Sequence, residues 1–325
     1  MTDVFDRLAR FVRHVFKTSV ETFLEALQLS PNAQGYVLGS VSELLLKREL
    51  ENLGFEVQRI REKWEGRKHP RHHGDFYFRQ QGTPYWFVLE SKGVKSNSEK
   101  WHKLYNLRNL KRFLITHADK ISWIDPNRSI EPQITAWIGE NLPKFLDEYE
   151  STLYEYEEVQ TYLHNPPRRE TPKFRAITAL QGYNREQIGN LIDERLRYVM
   201  AKVSVLETHF VAGISGSSER TQATPRKDEF NAVAVDIVLR YPEHKFLFAN
   251  PRHLESSGSD PNHLQQNYII GFVFTDAEGQ PILSVSDEWA EEFLDVFATL
   301  KAEDSVDERD MQIDRRYVVG HVSND

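Results

Sequence analysis

His73-Gly74-Asp75-Phe76-Tyr77-Phe78, then Gln80-Gln81-Gly82-Thr83-Pro84, then Tyr85-Trp86-Phe87-Val88-Leu89-Glu90-Ser91-Lys92 is the stretch on which the fold turns. Phe76 to Phe78 and Trp86 to Leu89 are rich in aromatic and β-branched residues, and Gly82 and Pro84 punctuate the segment between them. The pattern predicts two β-strands joined by a tight turn. The second strand is apolar until it carries Glu90 and Lys92. Side chains alternate across a strand, so these two share a face and Ser91 points away. In a hairpin, Asp75 lies near the open end, where Glu90 also falls. Two carboxylates and an ammonium then converge at the edge of an apolar sheet.

That trio suggests a chemistry. Two neighbouring carboxylates repel, and a divalent cation relieves the repulsion. Hard oxygen donors select Mg²⁺, which keeps several waters and leaves positions open for phosphate oxygens. The cation can polarise a phosphodiester and activate a bound water, while the lysine orients or deprotonates that water. The plain alternative is a solvated strand end with Asp75 in a turn. An apolar run that reads as a buried strand seldom ends in charge without a reason.

Asp75 followed by Glu90-Ser91-Lys92 across a strand turn resembles the PD-(D/E)XK nuclease superfamily, which includes most type II restriction endonucleases. The family places an acidic residue on an upstream helix. Here Gly39-Ser40-Val41-Ser42-Glu43 opens Leu44 to Leu53, closed by Gly54 and followed by a strand-like Phe55-Glu56-Val57. Gly74 stands where the family has proline. The similarity spans roughly residues 34 to 124. It implies a metal held by Asp75, Glu90 and the Ser91 carbonyl, with Lys92 at the attacking water. It also implies a catalytic Glu43, acting on a second metal or a metal-bound water. Glu43 could equally be one more helix glutamate. The family further implies double-stranded DNA as substrate, a homodimer to cut both strands, products with 5′-phosphate and 3′-hydroxyl, and a companion methyltransferase. Two alternatives remain open: a repair, mobile-element or phage-defence nuclease of the same core, and a DNA-binding module that has lost the chemistry.

The chain has 325 residues and a net charge of −8, with no cysteine, which excludes disulfides, thiolate zinc sites and cysteine nucleophiles. The N-terminus does not read as a signal peptide, because Asp6, Arg7, Arg10, Arg13 and His14 interrupt its apolar residues. No apolar run reaches membrane-spanning length. A cytoplasmic protein with no membrane partner is expected. An acidic chain is a poor nonspecific binder of nucleic acid, but its charge is segregated. Lys92, Lys95, Lys100, Lys103, Arg108, Lys111 and Arg112 face only Glu99 across residues 92–112, while residues 140–158 are acidic. Lys95, Lys100, Lys103 and Arg108 are therefore candidate DNA contacts. So are Arg67, Lys68 and Arg71 in the basic loop before Asp75. His69, His72 and His73 in that loop could hold zinc, or contact phosphate in a pH-dependent way.

The expected fold class is α/β (α+β): a mixed central sheet flanked by helices, with a second α+β half. Residues 1–30 read as a helical segment, with Thr18-Ser19 capping a second helix over 20–29. Residues 31–162 read as the core. Within it a helix over 34–53 buries Val37, Val41, Leu44, Leu45 and Leu50, and a helix over 99–114 precedes a strand over 115–124. A polar helical stretch then spans about 133–162. Asn165-Pro166-Pro167-Arg168-Arg169-Glu170-Thr171-Pro172 is the clearest linker. Residues 173–325 read as a second domain, with strands over 203–214, 233–241, 245–249 and 268–275 and a helix over 287–300. One reading lays that half out as a decayed copy that contacts DNA, with Asp236 and Ala249-Asn250 standing for the metal-binding positions and His263 to Gln266 opening a helix. The alternatives are an unrelated domain or an extension of the first sheet.

Overall fold

The computed structural model describes residues 3–61, 74–95, 107–143, 190, 194, 197–210, 224–258 and 260–314. It divides into a unit of residues 1–55 and a unit of residues 56–325. The class is the expected one: helices with mixed and antiparallel sheets.

The first unit contains three helices, α1 (Val4–Phe16), α2 (Val20–Leu29) and α3 (Pro31–Asn52). Each begins on a side-chain cap. The Asp3 carboxylate accepts from the Phe5 N–H at 3.3 Å, Ser19 Oγ from Thr22 N–H at 3.2 Å, and Ser30 Oγ from Ala33 N–H at 3.3 Å. Pro31 supplies the first residue of α3, where its missing N–H costs nothing. Lys17 closes α1 in the left-handed region, at φ 56°. The Phe16 and Phe23 rings, 4.8 Å apart, hold α1 to α2. The buried residues of α3 are Ser42, Leu46 and Leu50, at helical spacing. Val37, Val41 and Leu44, expected in that stripe, are exposed. At 100° per residue they lie on the opposite side of the helix from Leu46. The helix carries two apolar stripes, and periodicity alone does not choose between them.

The second unit is built on a five-stranded sheet in the order β1-β2-β3-β5-β6. Its strands are β1 (Phe55–Arg59), β2 (Phe76–Gln80), β3 (Phe87–Gly93), β5 (Ala232–Asp236) and β6 (Phe246–Ala249). The β2–β3 hairpin is antiparallel, as expected, with Phe76 opposite Leu89 and Phe78 opposite Phe87. β3 then pairs in parallel with β5, and β5 antiparallel with β6. The sheet thus takes strands from both sides of the expected linker, which itself lies outside the described residues. The second half extends the first sheet and is not a separate copy of it. The residues assigned to a decayed site have other employment. The Asp236 carboxylate contacts His244 Nδ1 at 2.6 Å and accepts from Val238 N–H at 3.0 Å. Asn250 accepts from Arg252 N–H and donates to Thr299. Leu264 ends a strand, β8 (Asp260–Leu264), paired with β7 (Ser256–Ser257), where a helix was expected to begin.

A second sheet, β10-β9-β4, joins β4 (Val203–His209), β9 (Asn267–Thr275) and β10 (Pro281–Val285). Between the two sheets lies a core containing Tyr77, Trp86, Val88, Val233, Val235, Leu247, Leu206, Phe210, Ile270 and Val273. On the outer face of the second sheet, α4 (Leu107–Thr116) and α5 (Ile130–Asn141) bury Leu110, Leu114, Ile134 and Ile138 against Val203, Val205, Phe272 and Phe274. On the other face of the first sheet, the Phe293 ring of a short helix, α6 (Phe293–Phe297), packs on Phe78 and Phe248, at 5.3 Å from each. Two sequence expectations fail here. Residues 115–124 are the end of α4, a 3₁₀ turn and a further hydrogen-bonded turn, not a strand. The helix expected over 287–300 is limited to 293–297. The polar stretch from residue 144 onward lies outside the described residues.

Candidate functional site

β3 carries the site. Trp86, Val88 and Val94 lie at alternating positions along this strand and its ends, and all three belong to the core between the sheets. Glu90 and Lys92 occupy the two intervening positions on that face, beside Val233 and Val235 of β5. An apolar stripe is therefore broken by one acid and one base. Their side chains are only 16% and 24% exposed, and the Lys92 ammonium donates to Glu90 Oε1.

Asp75 is fixed beside them by two hydrogen bonds that straddle Glu90. Its N–H donates to the Leu89 carbonyl at 2.9 Å, and its Oδ2 accepts from the Ser91 N–H at 2.7 Å. The backbone at Gly74 runs close to β3. A Cβ on Gly74 would lie 2.5 Å from Val88 Cγ1 and 2.9 Å from the Leu89 carbonyl oxygen. Gly74 is thus the residue that lets the chain cross close over β3, and neither proline nor alanine fits there.

The electrostatics follow from this placement. Burial pushes the Glu90 carboxyl up from its usual 4.5 to about 7. The Asp75 charge adds to that push, Lys92 opposes it, and Glu229 adds a smaller one. Glu90 is thus close to half protonated at neutral pH unless a cation compensates it. Two repelling carboxylates, one reluctant to ionise, form a donor set suited to a hard divalent cation. Among the described residues no group of three or more His, Asp or Glu side chains is placed to hold a metal ion. A cation here would complete its shell with main-chain oxygens and water, as Mg²⁺ prefers.

Other sequence candidates fare differently. Glu43 lies on α3, in the unit of residues 1–55. The Lys95 ammonium is engaged with the buried Glu207 carboxylate at 3.1 Å and with Asn267 Oδ1 at 3.3 Å, so much of its charge is compensated internally. Arg108 is exposed on α4. Arg67, Lys68, Arg71, Lys100 and Lys103 lie outside the described residues, as do His69, His72 and His73.

Two residues absent from the sequence reading matter here. Glu229 precedes β5, and its charge is felt at Glu90. Asn231 is buried and clasps β3 to β5: its Oδ1 accepts from Val88 N–H at 2.7 Å, its own N–H donates to the Val88 carbonyl at 2.8 Å, and its Nδ2 donates to the Asp304 carbonyl at 3.0 Å. The local signal for either was the polar residues Asp228, Glu229 and Asn231, set around Phe230 ahead of the apolar run Ala232 to Val235. No family model, curated protein or solved structure matches the chain.

Proposed function

We propose that the protein is a Mg²⁺-dependent endonuclease acting on double-stranded DNA, similar to type II restriction enzymes. One observation carries the reading: Asp75, Glu90 and Lys92 meet at a break in the buried stripe of β3. Asp75, Glu90 and the Ser91 carbonyl would hold the cation. When bound, magnesium supplies positive charge to a phosphate oxygen and acidifies a coordinated water. Asp75 keeps its orientation through the Ser91 N–H. Lys92, held by Glu90, is placed to orient the attacking water and to offset charge growing on the phosphorane. In the balanced reaction, the water oxygen bonds to phosphorus as the bond to the 3′-oxygen breaks. The 3′-oxygen takes up a proton, and the products are a 5′-phosphate and a 3′-hydroxyl. Glu43 takes no part in the proposal.

The test is incubation with a mixed DNA substrate and Mg²⁺, followed by sequencing of the cut ends. Ends that share one sequence support restriction-like cleavage. Cuts without a shared sequence move the reading to a repair, mobile-element or phage-defence nuclease of the same core. Binding with no Mg²⁺-dependent cutting identifies a module without chemistry.

A further inference from the structure

Just past Lys92, β3 runs into a cluster of buried polar residues. Glu207 and Thr208 on β4 and Asp236 on β5 are each at most 4% exposed, and all three meet residues 93–95. The Gly93 carbonyl accepts from Thr208 Oγ1 at 3.3 Å. Val94 N–H donates to the Asp236 carbonyl at 3.3 Å, and Lys95 N–H to the Glu207 carbonyl at 2.8 Å. The Lys95 ammonium then donates to Glu207 Oε1 at 3.1 Å. The Lys95 carbonyl accepts from Arg240 Nη2 at 3.0 Å. Arg240 comes from the turn after β5, which the Asp236 carboxylate caps through Val238 N–H. Val94 also pairs with Thr208, so the end of β3 is tied to both sheets.

Stability does not account for Glu207. Desolvation offsets the attraction within a buried ion pair, and an apolar pair of similar size often holds a fold as well. β4 is distorted where it makes this pair. Its register against β9 shifts between Leu206 and Glu207, so that Leu206 stays in the core between the sheets while Glu207 reaches Lys95. Bulges of this kind re-aim side chains beside functional sites. The side chain that gains lies three residues back. At ~3.3 Å per residue, Lys92 is about 10 Å from Lys95 along the strand. Its ammonium rides on a flexible four-carbon stem, and it stays against Glu90 only while the backbone beneath it keeps its place. We propose that Glu207 is a positioning residue: from the second sheet it holds Lys95, and through Lys95 the end of β3, at the height that seats the Lys92 ammonium against Glu90. The effect on cutting rests on the nuclease reading; the seating of Lys92 does not.

The experiment compares the full chain with Lys95→Met/Glu207→Leu, which removes both charges, and with Lys95→Met alone, which serves if the pair fails to fold. Acetylation by limiting acetic anhydride is followed lysine by lysine with mass spectrometry. Lys120, paired with Asp119 and 17% exposed, is the internal reference. In the variants Lys92 is expected to react several-fold faster than in the wild type and Lys120 at its wild-type rate, with the urea midpoint of the double variant close to that of the wild type. With Mg²⁺ and the mixed DNA substrate, kcat is expected to fall ~100-fold at unchanged KM, the cost of displacing a reacting group by about 1 Å. Lys92 reacting at its wild-type rate overturns the inference, and so does equal acceleration at Lys120, the mark of a general loosening. A raised KM at unchanged kcat overturns it too, because Lys95 would then be a phosphate contact. A chain that cuts no DNA, yet whose variants release Lys92, upholds the positioning role and retires the nuclease reading.

Discussion

Glu90→Gln should make the metal-free protein more stable at alkaline pH. Raising an acid's folded-state pKa from 4.5 to about 7 means that the native state holds a proton which the unfolded state has released. Stability is therefore full below pH 4.5, falls as pH rises toward 7, and levels off beyond. The accumulated loss is roughly 3 kcal/mol, at about 1.4 kcal/mol per pH unit. Glutamine has the shape of the protonated acid and cannot ionise. The variant should match the wild type near pH 4.5 and exceed it by up to roughly 3 kcal/mol at pH 8. The assay is urea unfolding in chelator across that range, followed by a repeat at pH 8 with Mg²⁺. The cation should raise wild-type stability and leave the variant unmoved, since only the ionised carboxylate rewards binding. Equal stability of the two proteins at pH 8 in chelator would refute the claim that Glu90 is buried against Asp75.

Further outcomes follow from the same geometry. Asp75→Ala and Lys92→Ala should each abolish Mg²⁺-dependent cutting and leave DNA affinity within a few-fold in a filter-binding assay; wild-type cutting rates in either would remove those residues from the mechanism. Apparent Mg²⁺ affinity, read by calorimetry, should rise about tenfold per pH unit below 7 and level off above, because the metal competes with the Glu90 proton; a flat profile would contradict that competition. Gly74→Ala places a methyl 2.9 Å from the Leu89 carbonyl oxygen, which cannot swing aside as a side chain can. It should cost about 1–3 kcal/mol in denaturant unfolding, as overpacking does. Asn231→Ala strands the buried Val88 N–H and should cost about 1–3 kcal/mol; a shift in unfolding midpoint too small to measure would show that the clasp is dispensable.

The β2–β3 hairpin and its charged trio were legible because strand alternation is a local rule. Glu90 and Lys92 share a face wherever β3 finds its neighbours. The cap of α2 was legible for the same reason, through Ser19, whereas Ser30-Pro31 reads as a break and the helix it caps, α3, begins three residues before the expected residue 34. What escaped was non-local. Residues 115–124 mix polar and apolar residues with neither a strict strand nor a strict helix period, and in the structure Phe113 and His117 pack on Phe272 at the end of α4. Lys95 looks like a free base until Glu207, distant in sequence, closes on it. Of the stripe expected on α3, Leu50 is buried but Val37, Val41 and Leu44 are exposed, because periodicity locates stripes without saying which of them is covered. The parallel neighbour of β3 is β5, more than a hundred residues further along the chain.

That distance shapes how the protein is made. The clasp between Val88 and Asn231 spans 143 positions, so a growing chain carries a bare, hydrophobic edge on its central strand until most of its length has left the ribosome. Every fragment that stops short of residue 232 inherits the same raw edge, inviting pairing with neighbouring chains. Acid and amine gain their β5 wall, Val233 and Val235, only after most of the chain has been made.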